Sequence, residues 1–258
     1  MPTTTKTSWL NSYTTKFGND ELFNSNNDVK GYWKKLFTSF DKLGESGLTG
    51  RQKDIDWLLL ENGVTYNVYN DPKGMHRPWN LNVVPLVMHR NEWENVEKGL
   101  KQRAELLNLV LKDAYGERRL IKDGVIPHEV IYGHRGFLRQ CSGIEYTTEK
   151  LLSIYSADLA RGNDGRLWVV NDRTEAPSGM GYALENRSTT SRILPEMYTR
   201  MNVNRLSHFF KEFHQMLIDA SPGKKDNPNI VILTPGSHNE TYFEHAYLAA
   251  YMGYTLVQ

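Results

Sequence analysis

The chain has 258 residues, and its 31 lysines and arginines nearly balance its 30 aspartates and glutamates, which leaves a formal net charge of +1. A charge so close to zero gives no electrostatic reason to expect nucleic acid or an anionic membrane as a partner. Cys141 is the single cysteine, which excludes an intrachain disulfide framework, and no apolar run has the length of a membrane span or the character of a signal peptide. We therefore predict a cytoplasmic protein that binds neither nucleic acid nor membrane.

The N-terminal part of the chain is predicted to be largely helical. Residues 1–27 are rich in threonine, asparagine and serine, and we expect them to be flexible. Asp28 is a candidate N-cap of a first helix, which Gly44 and Gly47 would end. A second helix is predicted over 51–60, where apolar residues recur at helical spacing.

A short β-element follows these helices in the prediction. Apolar and polar residues alternate over 64–68, which is typical of a strand, and the sequence at 70–74 is typical of a turn. Together, residues 28–90 are interpreted as a helical cap with one β-element.

The longest predicted helix covers 91–115. Asn91 is its candidate N-cap, with Glu94 three residues later as in a capping box, and Gly116 lies just beyond its end. Its predicted buried stripe consists of Trp93, Val96, Leu100, Leu107, Val110, Leu111 and Ala114.

A β-hairpin is predicted in the middle of the chain. The apolar runs 152–160 and 166–170 flank an Asp-Gly pair, which is a good hairpin signal. The outgoing strand would place Asp172 at its end, on a rigid scaffold. Another helix is predicted from Asn204 or Arg205 to Leu217, with its apolar residues in the core.

The C-terminal part predicts a strand–loop–helix–strand unit. The sequence Asp-Asn-Pro at 226–228 indicates a domain boundary, and strands are predicted at 230–233 and 254–257 with a helix between them. This order implies two parallel strands of a doubly wound sheet, so the fold class is α/β. Two parallel strands are not self-sufficient, and we expect a partner chain or a longer protein to complete them. The exposed final strand also favours self-association.

The segment 171–187 is the most informative stretch for function. It combines carboxylates, a carboxamide and arginines with a glycine-rich turn, on what we interpret as a short, flexible loop. The residues are Asp172, Arg173, Glu175, Pro177, Ser178, Gly179, Gly181, Glu185, Asn186 and Arg187. Hard oxygen ligands suit Mg²⁺, and arginines neutralise phosphoryl oxygens, so the pattern predicts a Mg²⁺-phosphate site. The alternative is a surface turn in which the carboxylates pair with neighbouring arginines.

Two further segments are candidate binding sites. Asn239 and Glu240 follow the predicted strand 230–233, at the edge where open α/β sheets bind ligands. The alternative there is an ordinary strand-to-helix turn in which Asn239 caps the helix. A basic loop with His134, Arg135 and Arg139 would hold an anionic substrate, or would be a solvated turn.

On these residues the sequence resembles the circularly permuted ATP-grasp family, type 2, whose members are described as glutathionylspermidine-synthase-like carboxylate–amine ligases. The resemblance covers most of the chain from about residue 50 onwards. It rests on GVTYNVY (63–69), RPWNLNVVPLV (77–87), EWENVEKGLKQRAELLN (92–108), ADLARGNDGRLWVVNDRTEAPSGMGYALENR (157–187) and LTPGSHNETYFEHAYLA (233–249). The chain departs from relatives at Glu175, where they have glutamine, and at Gln140, where they have proline.

The resemblance implies an ATP-grasp fold in permuted order, with ATP and Mg²⁺ as cofactors. It further implies that a carboxylate, from a small molecule or a peptide, is phosphorylated by ATP and then joined to an amine. Carried over by motif, Asp172, Glu185 and Asn186 would be the metal ligands, with Arg173 and Arg187 near the phosphates. The glycine turn (Ser178, Gly179, Gly181) would contact the nucleotide.

Relatives in this family continue well beyond position 258, so the resemblance implies that the fold is incomplete here. Residues 91–225 would be the metal-binding part, and 226–258 the start of a Rossmann-like domain. Two functional interpretations remain open. The chain is either the N-terminal half of an ATP-dependent ligase, or a non-catalytic fragment or interaction module that lacks the nucleotide-gripping lobe.

Overall fold

The computed structural model describes residues 13, 20–24, 26–68, 77–146, 148–223 and 227–258. The predicted turn at 70–74 and the start of the predicted boundary at 226–228 lie outside them. In chain order the helices and strands are α1 (Gly31–Glu61), α2 (Arg90–Tyr115), α3 (Arg119–Lys122), α4 (His128–Tyr132), a 3-10 turn (Arg139–Cys141), β1 (Ser156–Arg161), β2 (Leu167–Arg173), α5 (Met180–Ile193), α6 (Pro195–Arg200), α7 (Ser207–Asp219), β3 (Val231–Leu233), α8 (Tyr242–Met252) and β4 (Thr255–Val257).

The described residues form a mixture of helices and small two-stranded sheets, and the chain divides into two compact units. The first unit comprises Met1–Val87, Asn163–Gly165 and Ser178–Gln258, and the second comprises Met88–Gly162 and Arg166–Pro177. Within the described parts, no helix combines the length and the apolar character that crossing a bilayer requires.

Helix α1 differs in its bounds from the two helices predicted for this region. Its backbone breaks at Gly44, with φ 66° and ψ 176°, whereas Gly47 lies within the helix. The prediction that Asp28 caps the helix was wrong. The main-chain oxygen of Asp28 accepts a hydrogen bond from Asn24, inside a small loop closed by the bridge between Phe23 and Val29, so the helix begins two residues after that loop.

The break at Gly44 allows a stability prediction. Its backbone conformation is one that only glycine adopts easily, so Gly44→Ala should lower the free energy of unfolding by about 1–3 kcal/mol. Gly50→Ala, in the regular second part of α1 where an added Cβ would meet no atom within 4 Å, should instead be neutral or stabilise by up to about 1 kcal/mol. Urea denaturation of both variants checks this, and equal shifts would contradict it.

The core of the first unit lies between α1, α5 and α6. Leu36 and Phe40 are completely buried, and the apolar side chains of α5 and α6 complete the same cluster. Its buried members are Leu22, Trp33, Leu36, Phe40, Ile55, Leu58, Leu59, Val64, Val83, Tyr182, Ile193, Leu194 and Met197. Unit 1 therefore has a true apolar core, on which α5 is fixed.

Helix α5 corrects the interpretation of 185–187 as part of a flexible loop. The face of this helix that packs inward carries polar as well as apolar residues, since Glu185 and Thr189 are buried beside Tyr182 and Ile193. Two buried polar side chains interrupt the apolar period that marks a helix in sequence. For that reason the sequence pattern at 185–187 indicates a loop although the segment is helical.

The predicted strand over 64–68 is reduced to a single bridge between Thr65 and Pro78. Around it, the N–H of Tyr66 donates to the main-chain oxygen of Arg77, and the N–H of Trp79 donates to that of Val64, both at 3.0 Å. The pairing of this extended segment with 77–79 is therefore too short to count as a sheet.

The C-terminal strand–helix–strand unit is confirmed. Strands β3 and β4 pair in parallel, with Val231 opposite Thr255 and Leu233 opposite Val257. Helix α7 was also predicted, but its apolar face is less buried than expected, because Phe210 is buried and Phe209 is exposed.

In the second unit, the hairpin is confirmed and the details of α2 are not. Strands β1 and β2 pair antiparallel, with a bulge in the register next to Asp158. The N-cap of α2 is His89, whose Nδ1 accepts from the N–H of Asn91, so the prediction of Asn91 as the cap was wrong. The predicted stripe is mostly half-buried, with Ala114 buried and Trp93 exposed.

Candidate functional site

Asp172 lies near the end of β2 and is held by two side chains of the second unit. Arg103 of α2 donates from Nε to Oδ1 and from Nη2 to Oδ2, both at 2.6 Å. The hydroxyl of Tyr155 donates to Oδ1, also at 2.6 Å. Hydrogen bonds from Arg103, the larger cause, and from Tyr155 lower the pKa of Asp172 to about 2. Its carboxylate is therefore ionised at neutral pH.

Arg173, the next residue, pairs with a different carboxylate of the same hairpin. Its Nη2 donates to Oδ2 of Asp158 at 2.8 Å, and Asn171 donates to the same oxygen at 3.2 Å. These bonds lower the pKa of Asp158, Arg173 being the larger cause. Asp172 and Arg173 are thus both ion-paired, Asp172 with an arginine of α2 and Arg173 with an aspartate of the hairpin itself.

The glycine turn before α5 is bonded to a buried carboxylate of α8. The N–H of Gly179 donates to both carboxylate oxygens of Glu244, at 2.9 and 2.7 Å. Glu244 is 3% exposed, and a Cβ at Gly181 would lie 2.8 Å from its Cγ. Burial raises the pKa of Glu244, while hydrogen bonds from the main chain of Gly179, Tyr182 and Gly181 act against that shift. Glu244 therefore accepts hydrogen bonds from the N–H groups at the start of α5. Two of them, those of Gly179 and Gly181, belong to the glycine turn that was predicted to contact the nucleotide.

Glu185 and Asn186 lie on α5 and are bonded within the first unit. The Glu185 side chain is 4% exposed, and its Oε1 accepts from Asn62 Nδ2 at 2.8 Å and from Thr189 Oγ1 at 3.1 Å. Asn186 Oδ1 accepts from Trp79 Nε1 at 2.9 Å. Both predicted metal ligands thus serve as hydrogen-bond acceptors for neutral donors.

Arg187, the third member of this predicted group, lies over an aromatic ring. Its guanidinium carbon is 6.0 Å from the centre of the Tyr198 ring. A cation over an aromatic face is attracted to it, so this contact holds the arginine against α6.

The loop 234–241 is fixed by the segment that follows α1. Asn67, which is 4% exposed, donates from Nδ2 to the main-chain oxygens of Ser237 and Asn239, at 3.2 and 3.0 Å. Its N–H donates to the main-chain oxygen of Glu240 at 3.1 Å, and the hydroxyl of Tyr66 donates to Glu240 Oε2 at 3.2 Å. The predicted substrate residues Asn239 and Glu240 therefore lie on a rigid loop.

An aromatic cluster joins this loop to α5. The rings of Trp79 and Tyr182 have centroids 4.4 Å apart, and Tyr66 lies 6.4 and 6.3 Å from them. Since Tyr66 bonds Glu240 and Trp79 bonds Asn186, the cluster brings the predicted substrate loop and the predicted metal ligands of α5 into one region of the first unit.

His245 of α8 contacts the loop 234–241, and its lowered pKa should make stability depend on pH. Its Nδ1 lies 2.9 Å from Thr234 Oγ1, and burial lowers its pKa. When the pH falls from 7 to 5, the unfolded chain therefore takes up this proton before the folded chain, and stability should fall. His245→Gln should lose this part of the pH dependence in urea titrations.

The matched control is His238→Gln, on the exposed part of the same loop. The raised pKa of Glu244 acts in the opposite direction, but it is common to all the variants and cancels from their differences. An unchanged pH dependence in His245→Gln would contradict the assignment.

The basic loop of the second unit is attached to the end of α2. Phe137 stacks on Tyr115 with ring centroids 4.9 Å apart, and the N–H of Leu138 donates to the Tyr115 hydroxyl at 3.0 Å. His134 Nδ1 accepts from the N–H of Gly136, while Arg135 and Arg139 are exposed. The loop therefore presents two arginines to solvent from a fixed backbone.

The predicted metal ligands are distributed over both units. Asp172 belongs to the second unit, whereas Glu185 and Asn186 belong to the first. Among the described residues, no three His, Cys, Asp or Glu side chains are grouped as a metal ion would require. It therefore stays a prediction that these three residues bind a metal. The same holds for the binding of phosphates by Arg173 and Arg187 and for the contact of the glycine turn with a nucleotide.

The donor set suits Mg²⁺ to different degrees. Asp172 fits, because it is an ionised carboxylate with a quarter of its side chain exposed (25%). Glu185 and Asn186 have the right oxygen atoms, but Glu185 Oε1 and Asn186 Oδ1 already accept hydrogen bonds from protein donors.

Sequence reasoning missed the residues that support these side chains, namely Arg103, Tyr155, Asn67, Trp79 and Glu244. Arg103 lies 69 positions from Asp172, and Glu244 lies 65 positions from Gly179. A single sequence has no local signal for partners so far apart.

Ionised carboxylates and arginines on a scaffold of helices and short strands are features of proteins that bind Mg²⁺ and phosphates. The sequence model of the family described as circularly permuted ATP-grasp type 2 matches residues 85–258, and the chain belongs to this family. ATP-grasp proteins generally use ATP and Mg²⁺.

Uncharacterised bacterial proteins are similar in sequence to this chain over almost its whole length. One from Mycobacterium tuberculosis is 34% identical over 249 residues, covering 93% of this chain and 28% of that protein. One from Synechocystis is 33% identical over 239 residues, covering 93% and 50%. A Mycobacterium leprae protein is 31% identical, covering 93% and 42%. The chain thus spans half or less of the length of these relatives.

Proposed function

We propose that this chain forms the part of an ATP- and Mg²⁺-dependent carboxylate–amine ligase that binds the metal. The ligase acts through an acyl phosphate. The observation that carries the proposal is the ionised carboxylate of Asp172, held on β2 inside the segment that matches the ATP-grasp family. A cytoplasmic setting and glutathionylspermidine-synthase-like chemistry belong to the same proposal.

The proposed reaction has two steps. An oxygen of the substrate carboxylate attacks the γ-phosphorus of ATP, the bond to the β-phosphate oxygen breaks, and ADP leaves. The amine nitrogen then attacks the acyl carbon, phosphate leaves with the bonding electrons, and the nitrogen loses a proton. No protein nucleophile is needed, because positioning and charge neutralisation supply the catalysis.

In this proposal the polar residues divide into three groups. Asp172, Glu185 and Asn186 would hold the Mg²⁺, which would neutralise charge on the ATP phosphates. Arg173 and Arg187 bind phosphoryl oxygens, and the glycine turn (Ser178, Gly179, Gly181) approaches the nucleotide. Side chains of the two loops bind the carboxylate and amine substrates; they are the exposed His134, Arg135 and Arg139 and the half-buried Asn239 and Glu240.

Hydroxylamine tests the chemistry without knowledge of the amine substrate. The longest form of the protein that its gene encodes is incubated with Mg-ATP, hydroxylamine and pools of amino acids and peptides. An acyl phosphate should be trapped as a hydroxamate, with one ADP formed per hydroxamate. Formation of AMP and pyrophosphate instead would mean an acyl adenylate and would overturn the proposal.

The non-catalytic alternative has its own supporting observation. Glu244 occupies the N–H of Gly179, and Glu185 is buried among neutral donors, so two predicted ligand groups are already engaged. In that case the chain would act by association, for instance with a second copy along the edge of β4. Concentration-dependent dimerisation in analytical ultracentrifugation, without any binding of Mg-ATP, would favour this function.

A further inference from the structure

Arg103 occupies the carboxylate that the proposed function assigns to a divalent cation. Its guanidinium makes two parallel hydrogen bonds to Asp172, each 2.6 Å long. Paired charge-assisted bonds of this kind are among the strongest polar contacts in proteins. The guanidinium therefore has both the position and the sign of charge of a bound cation.

Few acceptor sites remain on the Asp172 carboxylate. Oδ1 accepts from Arg103 and from the hydroxyl of Tyr155, and Oδ2 accepts from Arg103. Since a carboxylate offers about four lone-pair sites, about one is left, on Oδ2. A divalent cation at that site would lie close to the guanidinium, and two cations on one carboxylate repel each other.

Loss of the bond between Arg103 and Asp172 would not by itself separate α2 from the hairpin. Its side chain is 45% exposed, so water can solvate the guanidinium once it leaves Asp172. A second ion pair, from Arg161 Nη1 to Glu92 Oε1 at 2.6 Å, joins the same helix to the same hairpin and is more buried. The scaffold around Asp172 therefore does not depend on Arg103 alone.

We propose that Arg103 is the resident counter-ion of Asp172 and that a divalent cation binds Asp172 by displacing it. This inference rests on the proposed function, in which Asp172 is a cation ligand. The exchange breaks two hydrogen bonds and forms one metal–oxygen bond, with no covalent change. The released guanidinium would be available to bind phosphoryl oxygens of the nucleotide, which would make Arg103 a further phosphate-binding residue.

Mn²⁺ titration of the chain, followed by the EPR signal of the free ion, tests the exchange. Competition couples the two cations, and such couplings typically amount to roughly 5–150-fold, so Arg103→Met should bind Mn²⁺ at least about fivefold more tightly than the unmodified chain. Arg103→Lys retains the charge without both bonds and should lie between them. Arg161→Met removes the neighbouring ion pair and should leave Mn²⁺ affinity unchanged.

Asp172→Asn distinguishes failure of the proposed exchange at Arg103 from failure of the proposed cation-ligand role of Asp172. If it loses Mn²⁺ binding while Arg103→Met binds no more tightly than the unmodified chain, the exchange is overturned and the ligand role of Asp172 stands. If Asp172→Asn binds Mn²⁺ as well as the unmodified chain, the metal assignment itself fails. Should Arg103→Met not fold, as judged by circular dichroism, Arg103→Lys decides.

A measurement on the unmodified chain gives an independent readout. The Nε proton of Arg103 is hydrogen-bonded to Asp172, so its exchange with water, followed by NMR, should be slow without a divalent cation and faster with Mg²⁺. The signal is assigned by its loss in Arg103→Lys. An exchange rate that Mg²⁺ leaves unchanged would overturn the proposal.

Discussion

Replacing Glu244 with alanine should lower the free energy of unfolding of the first unit by about 3 kcal/mol or more. The carboxylate accepts from the N–H of Gly179 through both oxygens, and the main-chain groups of Gly181 and Tyr182 also bond it. Each buried donor left without an acceptor costs about 1–3 kcal/mol, and the glutamate also joins α8 to α5. Urea denaturation followed by circular dichroism measures the effect.

The control for this prediction is an exposed glutamate in a helix of the same unit. Glu212→Ala on α7 should change stability by no more than about 0.5 kcal/mol. Glu244→Gln keeps one side-chain acceptor and should fall between the two. If Glu244→Ala is as stable as Glu212→Ala, the carboxylate does not hold the start of α5.

Asp172→Asn should reduce Mg²⁺-dependent ADP formation by at least about 100-fold, the scale found when a group that stabilises charge in a transition state is removed. The side chains have the same shape, but asparagine has no negative charge for a divalent cation. The substitution also removes the charge that Arg103 pairs with. The loss should appear in turnover at saturating ATP, in the longest form of the protein that its gene encodes.

Glu92→Gln is the matched control, because it weakens the other ion pair between α2 and the hairpin without touching a proposed ligand. Both variants should fold, and Glu92→Gln should keep most of its turnover. Equal losses in the two variants would mean that the ion pairs act only through stability. Full turnover in Asp172→Asn would remove Asp172 from the site.

The elements that the sequence predicted are those with short-range signals. The hairpin followed from Asp-Gly between two apolar runs, and the parallel strands β3 and β4 followed from the order of strand, helix and strand. Each of these patterns spans fewer than about thirty residues, and local turn and periodicity rules suffice for it.

The features that were missed depend on buried polar residues and on distant partners. Helix α5 has Glu185 and Thr189 on its inner face, so its apolar period is broken and the segment reads as a loop. Glu244 could be placed on a helix from sequence, but its bond to Gly179 depends on how α8 packs against α5. The bond from Arg103 to Asp172 likewise depends on how α2 packs against the hairpin.

The same limits apply to the candidate site. Sequence identified Asp172 as a side chain at the end of a rigid strand, and the structure confirms its position on β2. It did not indicate that Glu185 accepts from Asn62, because a hydrogen bond between residues 123 positions apart leaves no pattern in one chain. The chemical roles proposed for these residues rest on residue type and family, and binding measurements test them.

Calorimetric titration with Mg-ATP tests the central claim most directly, because it needs no knowledge of the acid or the amine. We expect the longest form of the protein that its gene encodes to bind Mg-ATP with a Kd below about 100 μM, a free energy of roughly −5.5 kcal/mol. We further expect that chelation of the Mg²⁺, or Asp172→Asn, weakens this binding strongly. Failure to bind, or an affinity that neither change affects, would contradict this claim.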